Sequence, residues 1–298
     1  MRAGLRALES HEYCWGGFLL IAMLKATLLG ARVAPVPILL GWAAMATGFM
    51  FAVRQTRVAP EPKRRWGWAY YAVAMNLSFM LLGPTIKAVS DWRADAPLQR
   101  IDAALIGRNL SLRMEPWHSP ALNDAMSLGY MFFMVLLFCS LVYYLFWSPH
   151  LARCYRGLFS VYGLGFAGYA LIPAAGPYVA LAEQFPGEIA GGWLTALNNQ
   201  MVAAGSNHVD VFPSLHIAVS TFLWLTLLLD HRKLGWSLTP ILLLLWVSTV
   251  YLRYHYFIDV VAGFALALPV FALTALRQKP RSPPCAGAAP VPVLRPPA

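Results

Sequence analysis

Hydrophobic positions along this chain fall into long blocks. Apolar runs cover roughly residues 13–30, 36–53, 66–88, 125–147, 156–175, 213–229, 236–252 and 256–276, with the charges gathered between them. A run of about 20 apolar residues is long enough to cross a bilayer as a helix, and a helix satisfies its own backbone in lipid. Strand-like alternation at about ten-residue spacing is absent, which argues against a membrane barrel. The pattern predicts an all-α polytopic transmembrane bundle of about eight spans. The seventh run holds Pro240, so a kink or tilt is expected there.

Two of the intervening stretches have their own pattern. Residues 91–124 mix charges with apolar side chains. Leu98, Ile101 and Leu105 share one helical face there, which predicts a short interfacial helix. Residues 176–212 are rich in Gly, Asn and Ala, which suits a lid. The Pro- and Ala-rich stretch 278–298 reads as a disordered tail.

Charge sets the orientation. Arg54, Arg57, Lys63, Arg64 and Arg65 lie in one connection, Arg153 and Arg156 in another, Arg232 and Lys233 in a third. Arg277, Lys279 and Arg281 follow the last run, and Arg2 and Arg6 precede the first. With eight spans all of these fall on one side, which the positive-inside rule makes cytoplasmic, together with both termini. The 176–212 stretch has no Lys or Arg and lies opposite. Arg2 and Arg6 ahead of an apolar run read as a signal-anchor; a signal peptide cut near Ala34 is the alternative.

Composition agrees. Of 298 residues, 59% are hydrophobic and only 12% charged, about half the charge of an ordinary soluble domain. Mean hydropathy is +0.56. The net charge of +10 belongs to cytoplasmic loops, and no basic surface interleaved with aromatics points to nucleic acid. Cys14, Cys139, Cys154 and Cys285 show no metal spacing. High Ala, Gly and Arg usage suggests a bacterial inner membrane.

The chemistry sits where two runs begin on the outer side. Phe212-Pro213-Ser214-Leu215-His216 opens the sixth. Pro213 and Ser214 are helix-start residues, and a helix N-terminus offers free N–H groups to an anion such as phosphate. Arg253-Tyr254-His255-Tyr256-Phe257-Ile258-Asp259 opens the eighth. His255 and Asp259 stand at i and i+4, so the carboxylate can take the imidazole Nδ1–H and leave Nε2 as nucleophile. Gly263 continues that face and allows close helix approach. Arg253 offers a planar fork for phosphate oxygens; an ion pair with Asp259 is the plainer alternative. His208 and Asp210 read as polar residues of the lid, and His118 as a polar residue of the other outer segment. Asn76 is expected to bond between helices.

These two stretches resemble the second and third signature motifs of the type 2 phosphatidic acid phosphatase superfamily. The forms "FPSLH" and "RYHYFIDVVAG" are most similar to its inositol phosphorylceramide synthase (aureobasidin-resistance) branch. The similarity covers roughly residues 98–276, and it implies a catalytic membrane domain in 91–277, with added spans in 1–90 before it and the tail 278–298 after it. It implies that Pro173-Ala174-Ala175-Gly176-Pro177-Tyr178 occupies the slot of the first motif, bringing Gly176 and Tyr178 to the phosphate. It further implies His255 as the nucleophile that becomes phosphohistidine, Asp259 as its orienter, and His216 as acid and then base. Ser214, Arg253, Pro213 and backbone N–H groups would hold the phosphate. The Lys-x6-Arg-Pro string of the superfamily's lipid phosphatases is missing, and Ser248-Thr249 stands where their Ser-Arg would be. A less basic site suits a diester better than a monoester.

The function so implied is transfer of an inositol phosphate-like headgroup from a membrane phospholipid donor to a lipid hydroxyl, with neither cofactor nor metal. Water as acceptor would make it a lipid phosphatase. Two other classes stay open: a transporter using the His–Asp pair as proton relay, and a metal site built from two histidines and an aspartate. Location at span ends argues against the transporter.

Overall fold

A computed structural model describes residues 8–29, 36–60 and 63–276. Among these, every regular element is helical. In chain order they are α1 (Ser10–Leu24), α2 (Val36–Val58), α3 (Lys63–Val89), α4 (Asp95–Ile106), α5 (Leu110–Met114), α6 (Pro120–Phe146), α7 (Leu151–Leu171), α8 (Pro177–Ala180), α9 (Trp193–Gly205), α10 (Leu215–Asp230), α11 (Arg232–Tyr251) and α12 (Phe257–Leu276). The expected tail, the Arg2 and Arg6 pair and the Ala34 position lie outside the described residues.

Helices α2, α3, α6, α11 and α12 are long and apolar enough to cross a membrane. The long helices follow the order of the apolar runs, but α1 has 15 residues and α10 has 16, and neither meets that length. The expected count of about eight spans is thus supported for five helices. α11 runs unbroken through Pro240.

The basic connections meet at one end of the bundle. Arg57 pairs with Glu12, Arg153 with Asp230, and Arg156 with Glu9 at 2.5 Å. Arg65 donates to the carbonyls of Leu145 and Phe146 at 2.7 and 2.9 Å. These contacts bring together the start of α1, the end of α2, the start of α3, the end of α6, the start of α7 and the end of α10. Between the ends runs a core of large aromatics, including Trp15, Phe18, Trp42, Tyr71, Tyr155, Phe159 and Phe166, all almost fully buried. In lipid such a core gains from close van der Waals packing rather than from removal of apolar surface from water. This core welds α1–α3 to α7.

The opposite end carries α4, α5, α8 and α9 and the starts of α10 and α12. α4 is the expected short helix. Leu98 is buried, while Ile101 and Leu105 are exposed. The inward positions are taken by Asp95 and Asp102 as well as Leu98. The two carboxylates face inward because they have backbone donors to satisfy there. The 176–212 stretch is more ordered than a loop: α9 packs on α6, and Asp124 of α6 accepts the Gly192 N–H (2.8 Å), the Thr195 N–H (3.0 Å) and the Thr195 hydroxyl (2.6 Å).

Candidate active site

The start of α10 is built as expected. Ser214 is its N-cap, with Oγ accepting the Ile217 N–H at 3.4 Å. The backbone of α12 holds it in place: the Ser214 N–H donates to the Asp259 carbonyl at 3.1 Å. A Cβ on Gly263 would lie 2.7 Å from the Ser214 carbonyl and 2.8 Å from Ile217 Cβ. Only glycine lets α12 pass this close to α10, so Gly263 sets the distance between the two motifs.

That crossing brings the histidines together. His255 Nε2 stands 3.5 Å from His216 Nδ1, and the ring centroids are 5.6 Å apart. His216 is stacked on Tyr130 at 4.5 Å and lies 4.4 Å from Phe133, both on α6. His255 is buried, and its N–H donates to the Thr249 carbonyl at 3.0 Å. Burial pushes the His255 imidazole down to about 4, while the charge of Asp210 and a bond with the Val211 backbone pull the other way. Its ring is therefore neutral at neutral pH, the form a nucleophile needs.

Asp259 is fully buried in the first turn of α12, with Oδ2 3.5 Å from His255 Nδ1. The expected Nδ1–H bond is not made at that separation. Oδ2 instead accepts the Tyr256 N–H at 2.8 Å, and His255 Nδ1 has no hydrogen-bond partner. The carboxylate is thus held beside the ring by the backbone.

Arg253 departs furthest from expectation. Its guanidinium makes a two-pronged pair with Glu115 at 2.8 and 2.7 Å. It also donates to the Gly187 carbonyl at 2.6 Å and lies 4.1 Å above the Phe185 ring. Its backbone has φ 68, a left-handed value that non-glycine residues seldom adopt. Neither the free phosphate fork nor the pair with Asp259 is present here; the partner is Glu115. Tyr178 docks on the same turn through its N–H to the Arg253 carbonyl at 2.8 Å. Gly176, at φ 92, could not carry a Cβ, which would meet the Tyr254 carbonyl at 2.5 Å.

Two residues that sequence reasoning missed hold this assembly. Asp102 accepts the N–H groups of Phe257 and Ile258, each at 2.9 Å, and so caps α12 from another helix. Burial pushes its carboxyl up, and those two donors pull it down. Asp95 accepts the N–H groups of Ala175 (3.0 Å) and Gly176 (2.9 Å) and the Tyr256 hydroxyl (2.9 Å). A pair of aspartates seven residues apart in an apolar helix was the readable signal.

His216 and His255 open into a cavity of about 310 Å³. Its polar end holds Tyr130, Tyr178, Asn198, Ser206, Asp210 and Tyr254; the remainder is lined mainly by Met, Phe, Leu and Val side chains, with Tyr162, Tyr169 and Asn76 among them. Among the described residues no lysine or arginine lines it, and Asp210 is its one carboxylate. Tyr178 and Asp210, assigned by sequence to the phosphate and to the lid, both reach this space. Ser214, Pro213, Arg253, Gly176 and Asp259 lie behind it. Among the described residues, no group of three or more His, Cys, Asp or Glu side chains is arranged to hold a metal ion. His118 is stacked on Tyr251 at 4.3 Å and bonds Asn123 at 3.0 Å, so its role is to brace α6 and α11.

A model of the PAP2 superfamily matches residues 99–273, from within α4 through most of α12. The chain is similar to inositol phosphorylceramide synthase of Candida albicans, 33% identical over 92 residues. It is also similar to the inositol phosphorylceramide synthase catalytic subunit AUR1 of Saccharomyces cerevisiae, 34% identical over 88 residues. Each match covers 30% of this chain, and 18% and 21% of the respective relative, so the chain spans about a fifth of the length of these curated relatives. No solved structure matches.

Proposed function

The chain belongs to the PAP2 superfamily, and from that premise we propose that it is an integral membrane phosphotransferase acting on lipid headgroups through His255. The observation that carries the reading is His255 Nε2 facing His216 Nδ1 at 3.5 Å, at the polar end of an otherwise apolar cavity. The end with the histidines and the start of α10 supports a singly charged phosphodiester, the other supports hydrocarbon, and a phospholipid has both.

In this reading Nε2 of the neutral His255 attacks the donor phosphorus. The N–P bond forms as the P–O bond to the glycerolipid breaks, and His216 gives its proton to the departing oxygen. Asp259, held beside Nδ1, stabilises the positive charge that develops on the ring. A lipid hydroxyl then attacks the phosphohistidine, His216 takes its proton, and the N–P bond breaks. General acid–base help of this kind is worth about 10²–10⁴-fold. The N-terminus of α10, behind Ser214, adds a partial positive charge for the phosphoryl oxygens. The names of both relatives support an inositol phosphate headgroup and a ceramide acceptor. The basic end of the bundle supports a cytoplasmic location for that end and an outer, periplasmic location for the histidines in a bacterial inner membrane.

The test is purified protein in detergent, offered phosphatidylinositol with and without ceramide, and separately phosphatidic acid. Headgroup transfer that requires the second lipid and disappears in His255→Ala is the expected result. Phosphate release from phosphatidic acid, lost in the same variant, would replace the transferase with a phosphatase. Activity that survives the substitution would overturn the nucleophile.

A further inference from the structure

The cavity does not stop at the histidines. It continues between α3 and α6 to the middle of both helices, with Met75, Asn76 and Phe79 on one side and Met131, Met134 and Leu137 on the other. Two of these side chains belong to the outer surface as well as to the cavity. Met134 is 50% exposed, and Asn76 is exposed across from it. The cavity is therefore open sideways, at a depth where a membrane-crossing helix meets hydrocarbon. Asn76 does not bond across to α6; its amide donates to the Ala72 carbonyl of its own helix at 3.0 Å. Nothing polar ties α3 to α6 here.

We propose that this gap is a lateral portal for the hydrocarbon chains of the lipid substrate, with α3 as one of its two walls. The inference rests on the lipid phosphotransfer reading above. One of the portal's walls, α3, lies outside the matched residues 99–273.

Size requires an opening of this kind. A cavity of about 310 Å³ is at the small end for a drug-sized ligand. A two-chain lipid can place its phosphate at His255 only if its tails leave through the side. The geometry agrees. Tyr130 touches His216, and Leu137 is seven residues further along α6, about 10 Å deeper at 1.5 Å per residue. A lipid runs the same way, from headgroup level toward the midplane. The lining agrees too: unbranched methionines adapt to flexible chains, and Met75, Met131 and Met134 supply half of the six residues that form the portal.

The experiment plugs the opening. Asn76→Trp and Met134→Trp fill its two edges. Val73→Trp and Val135→Trp, on exposed positions of the same helices outside the cavity, are the controls. Each protein is assayed with dioleoyl and with dibutyryl phosphatidylinositol as donor. The ratio of kcat/KM for the long-chain to the short-chain donor should fall by about ten-fold or more in the plugged variants and stay within about two-fold in the controls. Equal losses on both donors, or no loss on either, would overturn the portal. Native mass spectrometry with dioleoyl phosphatidylinositol reads occupancy without turnover: wild type and controls should retain the lipid, and plugged variants should lose it. Retention that follows this pattern in a protein without transferase activity would sustain the portal and overturn the reaction. Retention undiminished in both plugged variants would overturn the portal.

Discussion

The carboxylate of Asp102 accepts the N–H of Phe257 across 2.9 Å, and so a helix on the rim of the bundle caps the helix that follows the candidate nucleophile. Asp102 is completely buried and makes the same bond to Ile258. The position of His255 and Asp259 therefore depends on α4. Asp102→Ala leaves two amides without their acceptor, and each buried unsatisfied group costs about 1–3 kcal/mol. A clear drop in thermal midpoint is expected, with Asp102→Asn falling between alanine and wild type because it keeps one acceptor oxygen. A midpoint unchanged in the alanine variant would show that the cap is not needed.

Arg253 is buried and Glu115 half-buried in their pair, and this bears on the phosphate assignment. Removing one member of such a pair leaves an uncompensated charge and costs about 3–5 kcal/mol. Glu115→Ala and Arg253→Ala should lower stability to a similar degree, and the double variant should cost less than their sum. Arg253→Lys should fail to restore the two-pronged contact. If Glu115→Ala instead lowered KM for the donor with stability intact, Arg253 would be a phosphate ligand held in reserve.

His255 links activity and stability to pH. Its imidazole lies near 4 in the folded chain and at about 6.5 when unfolded. The ring stays neutral as pH falls from 7 to 5, so the nucleophile should not be lost over that range in a pH–rate profile. Stability moves against this. Between about 6.5 and 4 the unfolded chain binds a proton that the folded chain does not, so this group's contribution is present above 6.5 and declines as pH falls, by up to about 1.4 kcal/mol per unit. The slope of a denaturation midpoint against pH should be shallower in His255→Gln than in wild type.

Gly263 sets the separation of the two motifs. Gly263→Ala places a methyl group about where the Ser214 carbonyl already stands, 2.7 Å away, and overpacking of this kind costs about 1–3 kcal/mol. Because α10 must move, the His216–His255 separation should widen and kcat should fall further than stability alone would explain. Equal activity per folded molecule in the variant would mean that the crossing tolerates a methyl group.

The sequence by itself determined the helical class, the order of the long helices, the end at which basic residues gather, and the two motifs that carry the histidines. It could do so because each follows from local physics: the length of apolar runs, the bias of Lys and Arg, and the helix-start residues that open α10. Gly263 was legible for the same reason. The i,i+4 helical step from His255 to Asp259 is not realised, because α12 begins only at Phe257. The tertiary structure alone decided which partner each polar group takes. Arg253 looked free because Glu115 lies 138 residues away in the chain. Asp95 and Asp102 drew no reading from the sequence; they face inward because the starts of α12 and of the 175–176 turn leave N–H groups that water cannot reach. Asp210 and Tyr178 became cavity residues, and Asn76 a residue of its rim, only when α3, α6 and α9 closed around one space. Long-range satisfaction of buried donors and acceptors has no period along the chain, so no pattern of residues could announce it.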